Sequence, residues 1–270
     1  MNKLDAYKMD GLGNDFVIFD QRKHSIELTK NQIIKVADRG YVGCDQVIFI
    51  NKVEHNNAYI TFYNSDGGEV EACGNGSRCV AYLLMKEKMK EKILIKTKNR
   101  TLEAKLVNNE VRINMGTPFF NWDKIPLIKK MDNTNLKIRI NNEDKIGFAL
   151  NVGNPHIIFF VKNLDQYNLE KIGPEIENHK YFPEKCNVTF ANVKKNSLIK
   201  VKVWERGAGL TKACGTAACA TAVAGFSSKL VNRKVDIEFD EGNLNIEWGM
   251  DSNIYMSGKV SEIKKIVIDV

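Results

Sequence analysis

Two cysteines sit where a thiol gains chemistry. Cys73 stands in Ala72-Cys73-Gly74-Asn75-Gly76 and Cys214 in Ala213-Cys214-Gly215-Thr216-Ala217. The residues after each have the apolar spacing of a helix, from Gly74 to Met89 and from Gly215 to Lys229. A helix N-terminus carries unpaired N–H groups and a partial positive charge, which lower a thiol's pKa and also bind a carboxylate. The same feature prepares a base and an anion cradle, and glycine next to the sulfur lets a ligand approach the backbone. A single cysteine at a helix start is more often a packed thiol. A matched pair can do more, because two monoprotic groups on opposite faces of one carbon are what stereochemical inversion requires.

The pair belongs to a repeat that runs through the chain. A shift of 141 residues lays Tyr63-Asn64 on Trp204-Glu205, Gly68 on Gly209, Ala72-Cys73-Gly74 on Ala213-Cys214-Gly215 and Ala81 on Ala222. It also lays Gln46-Val47 on Asn187-Val188, Phe49 on Phe190, Ile113 on Ile254 and Met115 on Met256. A shift of 140 matches Gly13-Asn14 to Gly153-Asn154 and Ile18-Phe19 to Ile158-Phe159. Chance agreement of two Ala-Cys-Gly strings does not explain distant matches at one offset.

The elements that must position the cysteines repeat as well. Alternation from Tyr59 to Tyr63 predicts a strand, Asp66-Gly67-Gly68 a turn, then the first helix and strands Ile93–Thr97, Leu102–Val107 and Val111–Met115. The last two are joined as a hairpin across Asn108-Asn109. The second half predicts a strand Leu198–Glu205, a turn Gly207-Ala208-Gly209, the second helix, and strands Val235–Phe239, Leu244–Trp248 and Asn253–Met256. Two similar α/β (α+β) domains are expected, with the break near Gly116-Thr117-Pro118 and one ligand held at their interface.

Composition narrows the function classes. The chain has 270 residues, 43% apolar and 27% charged, with 5 Pro, enough for a sizeable core and unlike a disordered or collagen-like chain. The net charge of +7 comes without a basic stripe, since Lys86–Lys98 is broken by Glu87, Glu91 and the apolar Ile93-Leu94-Ile95. No nucleic-acid partner is expected. Nor is a membrane partner, because the longest apolar run is Cys79–Met85. The first 25 residues carry Lys3, Asp5, Lys8 and Asp10 and offer no secretory core, so a cytoplasmic location is expected, with six reduced cysteines. No C-x-x-C occurs, and His24, His55, His156 and His179 form no ligand spacing, so no metal is expected. Gly74-x-Gly76 lacks the third glycine of a dinucleotide fingerprint and no phosphate-binding loop motif is present, so no cofactor is expected either.

The strings Gly11-Leu-Gly-Asn-Asp-Phe16, Asp45-Gln46, Asn64 with Asp66-Gly67, Ala72 to Cys79, Gly153-Asn-Pro-His156, Trp204 to Gly209 and Ala213 to Thr216 closely resemble the diaminopimelate epimerase family, in order, from about residue 8 onward. The resemblance implies a pyridoxal-independent isomerase of lysine and peptidoglycan-precursor synthesis that interconverts LL- and meso-diaminopimelate. It implies two pseudo-symmetric domains, each a mostly antiparallel, barrel-like sheet around a central helix. One comprises residues 1–117 with the C-terminal strand 262–270, the other residues 118–261. It also implies a homodimer. Cys73 and Cys214 match the two acid/base cysteines, and Gly74-Asn75 and Gly215-Thr216 match the cradle for the reacting carboxylate. His156 and Glu205 match contacts to the amino group beside the inverting carbon. Asn14, Gln46, Asn64, Asn154, Asn187 and Arg206 match the residues that hold the distal end. Cys44, Cys79, Cys186 and Cys219 are expected to be packing residues.

Two positions depart from the family pattern. Leu210 stands where an acid is usual, and Ala217 where a second glycine is usual. Loss of an anion near the Cys214 helix start is expected to shift that thiol's pKa or a local hydrogen bond, whereas Glu69, opposite Leu210 under the 141 shift, keeps the acid in the first half. The runner-up is a proline or hydroxyproline racemase, which typically has a histidine soon after its first Cys-Gly, where this chain has Asn75. A non-catalytic thiol redox or scaffold protein using Cys73/Cys79 and Cys214/Cys219 would leave the repeated Asn, Gln, Glu and Arg positions without a role.

Overall fold

The first half begins with β1 (Lys3–Gly11), which turns antiparallel into β2 (Asn14–Asp20). The run Phe16-Val17-Ile18-Phe19 in β2 shows no alternation because both of its faces are covered, and all four side chains are fully buried. Helix α1 (Lys30–Ala37) leads to β3 (Gln46–Asn51), which lies parallel to β2 with Phe16 beside Gln46 and Phe19 beside Phe49. Next come β4 (Ala58–Asn64), antiparallel to β3, and the short β5 (Glu69–Val70). Helix α2 (Gly74–Lys88) follows, then β6 (Lys92–Lys96), parallel to β4, and an antiparallel continuation through β7 (Thr101–Val107) and β8 (Glu110–Asn114). Helix α2 packs against β1 and β2 as well as β6, β7 and β8, so the sheet curves around it. The hairpin residues Asn108 and Asn109 have φ of 51° and 62°, the pair of positive values a two-residue type I′ turn needs.

The second half repeats the pairing. Its strands are β9 (Leu136–Ile140), β10 (Glu143–Asn151), β11 (Pro155–Phe160), β12 (Asn187–Lys195), β13 (Leu198–Glu205), β14 (Gly209–Thr211), β15 (Lys234–Phe239), β16 (Gly242–Trp248) and β17 (Ile254–Gly258). Helix α3 (Leu169–Glu177) precedes β12, and α4 (Gly215–Ser227) precedes β15. Strand β11 runs parallel to β12 with His156 beside Asn187, and β13 runs parallel to β15. The β9/β10, β10/β11, β12/β13, β13/β14 and β15/β16 pairs are antiparallel. The shift of 141 read from the sequence is also a shift of register: Tyr63 lies beside Glu69 as Trp204 lies beside Leu210. In the second half α4 is buried from Ala217 to Gly225, as a helix apolar on all sides must be. It packs on β10, β11, β12, β15 and β16.

This architecture comes from a computed structural model that describes residues 3–52, 58–70, 73–98 and 100–270. Ala72 and His55 lie outside the described residues. The chain divides into two units, Met1–Asn114 with Ser257–Val270, and Met115–Met256. Met115 N–H donates to Ile254 O and Ile254 N–H donates to Gly116 O, both at 2.8 Å, which ties residues 115 and 116 into the second unit. The C-terminal strand Lys264–Asp269 pairs antiparallel with β1, taking beside β1 the place that β9 takes beside β10. Among the described residues no helix is long and apolar enough to cross a membrane.

Candidate active site

Each expected cysteine is the N-cap of its half's central helix, with nearly the same backbone: φ −138° and ψ 117° at Cys73, φ −134° and ψ 116° at Cys214. The first helical bonds run from Ser77 N–H to Cys73 O and from Ala218 N–H to Cys214 O. The N–H groups of Gly74, Asn75, Gly215 and Thr216 therefore precede the helical ladder, as an anion cradle requires.

Two amide groups bond Cys73. Its Sγ accepts the Gly76 N–H at 3.4 Å, and its S–H donates to Asn14 Oδ1 at 3.6 Å. Asn75 Nδ2 donates to the same Oδ1 at 3.5 Å, while Asn14 Nδ2 donates to Asp45 Oδ2 at 2.9 Å. Gln46 Nε2 donates to Asn64 Oδ1 at 2.9 Å, across the register pair that joins β3 and β4. Cys73, Asn14 and Asn75 thus form one cluster and Gln46 and Asn64 a second. A Cβ on Gly76 would stand 2.8 Å from Ile48 Cδ1 and 3.0 Å from Phe62 Cε1, so glycine lets the helix start press onto the sheet.

Around Cys214 the partner is a carboxylate. The Cys214 S–H donates to Glu205 Oε2 at 3.0 Å, and Glu205 Oε1 accepts from Thr211 Oγ1 at 2.6 Å. Burial, then the Glu205 charge, push the Cys214 thiol well above its ordinary value. Burial also raises the Glu205 carboxyl, against the bonds from Thr211 and Cys214 that favour its charge. Thr216 Oγ1 lies 3.4 Å from Cys214 Sγ and accepts from Asn154 Nδ2 at 3.4 Å. Asn154 Oδ1 lies 2.8 Å from His156 Nε2, which fixes that nitrogen as the donor. His156 is fully buried, and burial, then Arg206, push it down to about 3, so its ring is neutral.

Asn187 and Arg206, two residues expected at the distal end, also bond the backbone. Asn187 uses both ends of its amide on backbone, donating to Pro155 O at 3.0 Å and accepting from Arg206 N–H at 3.0 Å. The exposed Arg206 donates from Nη1 to Glu184 O at 2.9 Å. Thr211, which meets Glu205, and Leu210 point to opposite faces of β14, and Leu210 is half exposed beside Trp204.

Four contributors were not singled out in the sequence. They are Asp45, which holds Asn14; Arg39, which holds Asp45; Thr211; and Glu177, whose carboxylate accepts from Trp204 Nε1 at 2.7 Å and Gly207 N–H at 3.1 Å. For Asp45 the signal was its place beside Gln46 in a quoted motif. All six cysteines are free thiols, and Cys44, Cys79, Cys186 and Cys219 are buried. Burial pushes Cys44 up to about 11 and raises Cys79 and Cys186 further. Among the described residues no group of three or more His, Cys, Asp or Glu is placed to hold a metal.

The sequence pattern described as diaminopimelate epimerase matches residues 6–121 and again residues 148–263. A diaminopimelate epimerase of Pelagibacter ubique is 55% identical over 270 residues, covering 98% of each chain. One of Sphingopyxis alaskensis is 41% identical over 257 residues, covering 95% of this chain and 94% of its own. Among solved structures, a Bacillus anthracis phenazine biosynthesis protein of the PhzF family superposes with a TM-score of 0.69 at 16% identity, over the whole of both chains. A hydroxyproline epimerase from Agrobacterium vitis gives 0.67 at 12% identity, covering 99% of this chain and 93% of its own. At such identities the likeness is one of fold.

Proposed function

The chain belongs to the diaminopimelate epimerase family, and from that premise we propose that it is an isomerase interconverting LL- and meso-diaminopimelate with two cysteines as its only acid and base. The observation that carries this is the duplication of one device, an N-cap cysteine at the start of each central helix. A thiol carries one proton, so one sulfur takes the α-proton and the other returns a proton to the opposite face. The helix-start N–H groups bind the reacting carboxylate and stabilise charge that builds up as the carbon is deprotonated. Glu205 offers a carboxylate for the adjacent ammonium, with the neutral His156 beside Asn154 in the same set. The carboxylate against Cys214 favours its protonated form, so Cys214 waits as the acid and Cys73, which donates to an amide oxygen, serves as the base.

Asn14, Gln46, Asn64 and Asn154 offer neutral polar groups to a zwitterion without adding charge, and Arg206 offers a guanidinium to the distal carboxylate. Asn187 acts through the backbone it holds. The same proposal includes a cytoplasmic homodimer supplying lysine and peptidoglycan precursors, working without a cofactor. Incubating the protein with LL-diaminopimelate and, separately, with L-proline tests the substrate by chiral product analysis. The meso isomer should form and no D-proline should. Racemised proline with unchanged diaminopimelate would contradict the proposal.

A further inference from the structure

An asparagine amide has nearly the same shape either way round, so its partners decide which end faces a neighbour. Asn14 lies between the Cys73 sulfur and the Asp45 carboxylate. An ionised carboxylate can only accept, so Asp45 Oδ2, 2.9 Å away, claims Asn14 Nδ2 and leaves Oδ1 for the thiol. Asn75 Nδ2, 3.5 Å from the same Oδ1, agrees with that choice. Turning the amide round would set oxygen against the Asp45 oxygen and NH2 against the Asn75 NH2.

Asp45 is itself held on two sides. Arg39 Nη2 donates to its Oδ1 at 2.5 Å, and the Asp15 N–H donates to its Oδ2 at 3.1 Å. Arg39 also grips Asp15 through both guanidinium ends, at 2.7 and 2.8 Å, and Lys8 lies 2.7 Å from Asp15. Lys8, Asp15, Arg39 and Asp45 are the charged groups of this clasp, drawn from β1, from β2, from the turn after α1 and from the residue before β3. Among the described residues the second half shows no such clasp: the shift of 141 puts Cys186 opposite Asp45, and Asn154 is bonded to His156 and Thr216 instead.

We propose that Asp45, clamped by Arg39, is a positioning residue that keeps the carbonyl end of Asn14 on the Cys73 sulfur. An acceptor there welcomes the S–H that Cys73 gains when it takes a proton, whereas an NH2 would favour the thiolate and oppose the transfer. That consequence for the reaction rests on the role proposed above for Cys73, while the orientation itself does not.

Site-resolved alkylation by iodoacetamide across pH, followed by mass spectrometry of the Cys73 and Cys214 peptides, reads the thiols without any substrate. Asp45→Asn frees the amide to turn, so the Cys73 midpoint should fall by about one pH unit while the Cys214 profile stays unchanged. In an Asn14→Ala background the same substitution should move the Cys73 midpoint far less, because its effect travels through Asn14. No shift in Asp45→Asn, or an equal shift with Asn14 removed, would overturn the inference; the latter would mean that the charge of Asp45 acts directly. Asp45→Ser provides the same comparison if circular dichroism shows that Asp45→Asn does not fold. A protein that shows the expected shift yet converts no diaminopimelate would overturn the proposed function and leave the positioning role standing.

Discussion

The two halves share a backbone device and differ in what they place against it. In both, a cysteine caps the central helix after a short strand pair of the same register. In the first half the thiol faces an amide whose orientation is set by a charged clasp. In the second it faces a carboxylate, in a set that includes a fully buried, neutral histidine. His156 takes the register position of Phe16, and Glu205 that of Asn64. Duplication thus supplies two equal places for a base, and substitution at a few matched positions makes one better at holding a proton than the other. In the two-base mechanism proposed above, that asymmetry would leave one sulfur charged while the other is not.

The largest expected effect tests whether both halves are needed. Cys73→Ala and Cys214→Ala should each lower kcat/KM for diaminopimelate by about a thousandfold or more, the scale of losing a general acid or base. If either variant kept a tenth of the activity, the halves would not share one reaction.

A second test uses acid. The folded-state pKa of His156, about 3, lies below its ordinary 6.5, so protonation favours the unfolded chain. Its contribution to stability is whole above about pH 6.5 and drains as pH falls toward 3, by up to about 5 kcal/mol over the full window. In the first half, burial raises the Asp15 carboxyl but Arg39 and Lys8 outweigh it, holding it near about 2 against an ordinary 3.8. The Asp15 contribution is therefore present above about pH 4 and is lost only below it. Denaturant melts across pH should show the early loss in the native chain and lose that limb in His156→Phe, which copies Phe16 into the second half. An unchanged limb in the variant would break this contrast.

Glu205→Gln makes the partner of Cys214 neutral, as the partner of Cys73 already is. The Cys214 alkylation midpoint should fall and kcat/KM should drop by roughly tenfold to a hundredfold, with the Cys73 midpoint unmoved. A Cys214 midpoint that stayed put would mean that burial alone raises this thiol. The smallest expected effect concerns Glu177, which holds the turn after Glu205 by accepting from two N–H donors. A glutamine has one acceptor oxygen to offer, so Glu177→Gln should cost about 1–3 kcal/mol in a denaturant melt.

Much of this asymmetry was hidden in the sequence although the symmetry was not. Helix starts, glycines and the Asn108-Asn109 hairpin are local features, and the strings around Cys73 and Cys214 announce them. The helix ends are nearly as legible, with Met89 turning left-handed at φ 49° and α4 closing at Ser228. Strands β2, β3, β11 and β12 did not register as alternating because they are buried on both faces, where a strand reads as a continuous apolar run. Among the site residues, those in the repeated strings were visible. Arg39, Thr211 and Glu177 were not, because each works through a partner that only the folded chain brings near, such as Glu177 with Trp204, 27 residues away. Strand alternation, not distance along the chain, sets Leu210 on the face of its strand opposite Thr211, which meets Glu205.

The most direct test of the central claim, that two single-proton bases share the work, is epimerisation in deuterated water with sampling at the earliest turnovers. Proton removal and delivery by different sulfurs predict that the first product carries solvent deuterium at the inverted carbon while recovered substrate keeps its original hydrogen. Equal early labelling of both would mean that one polyprotic group, or one exchanging pool, handles both faces, and would contradict the two-cysteine account.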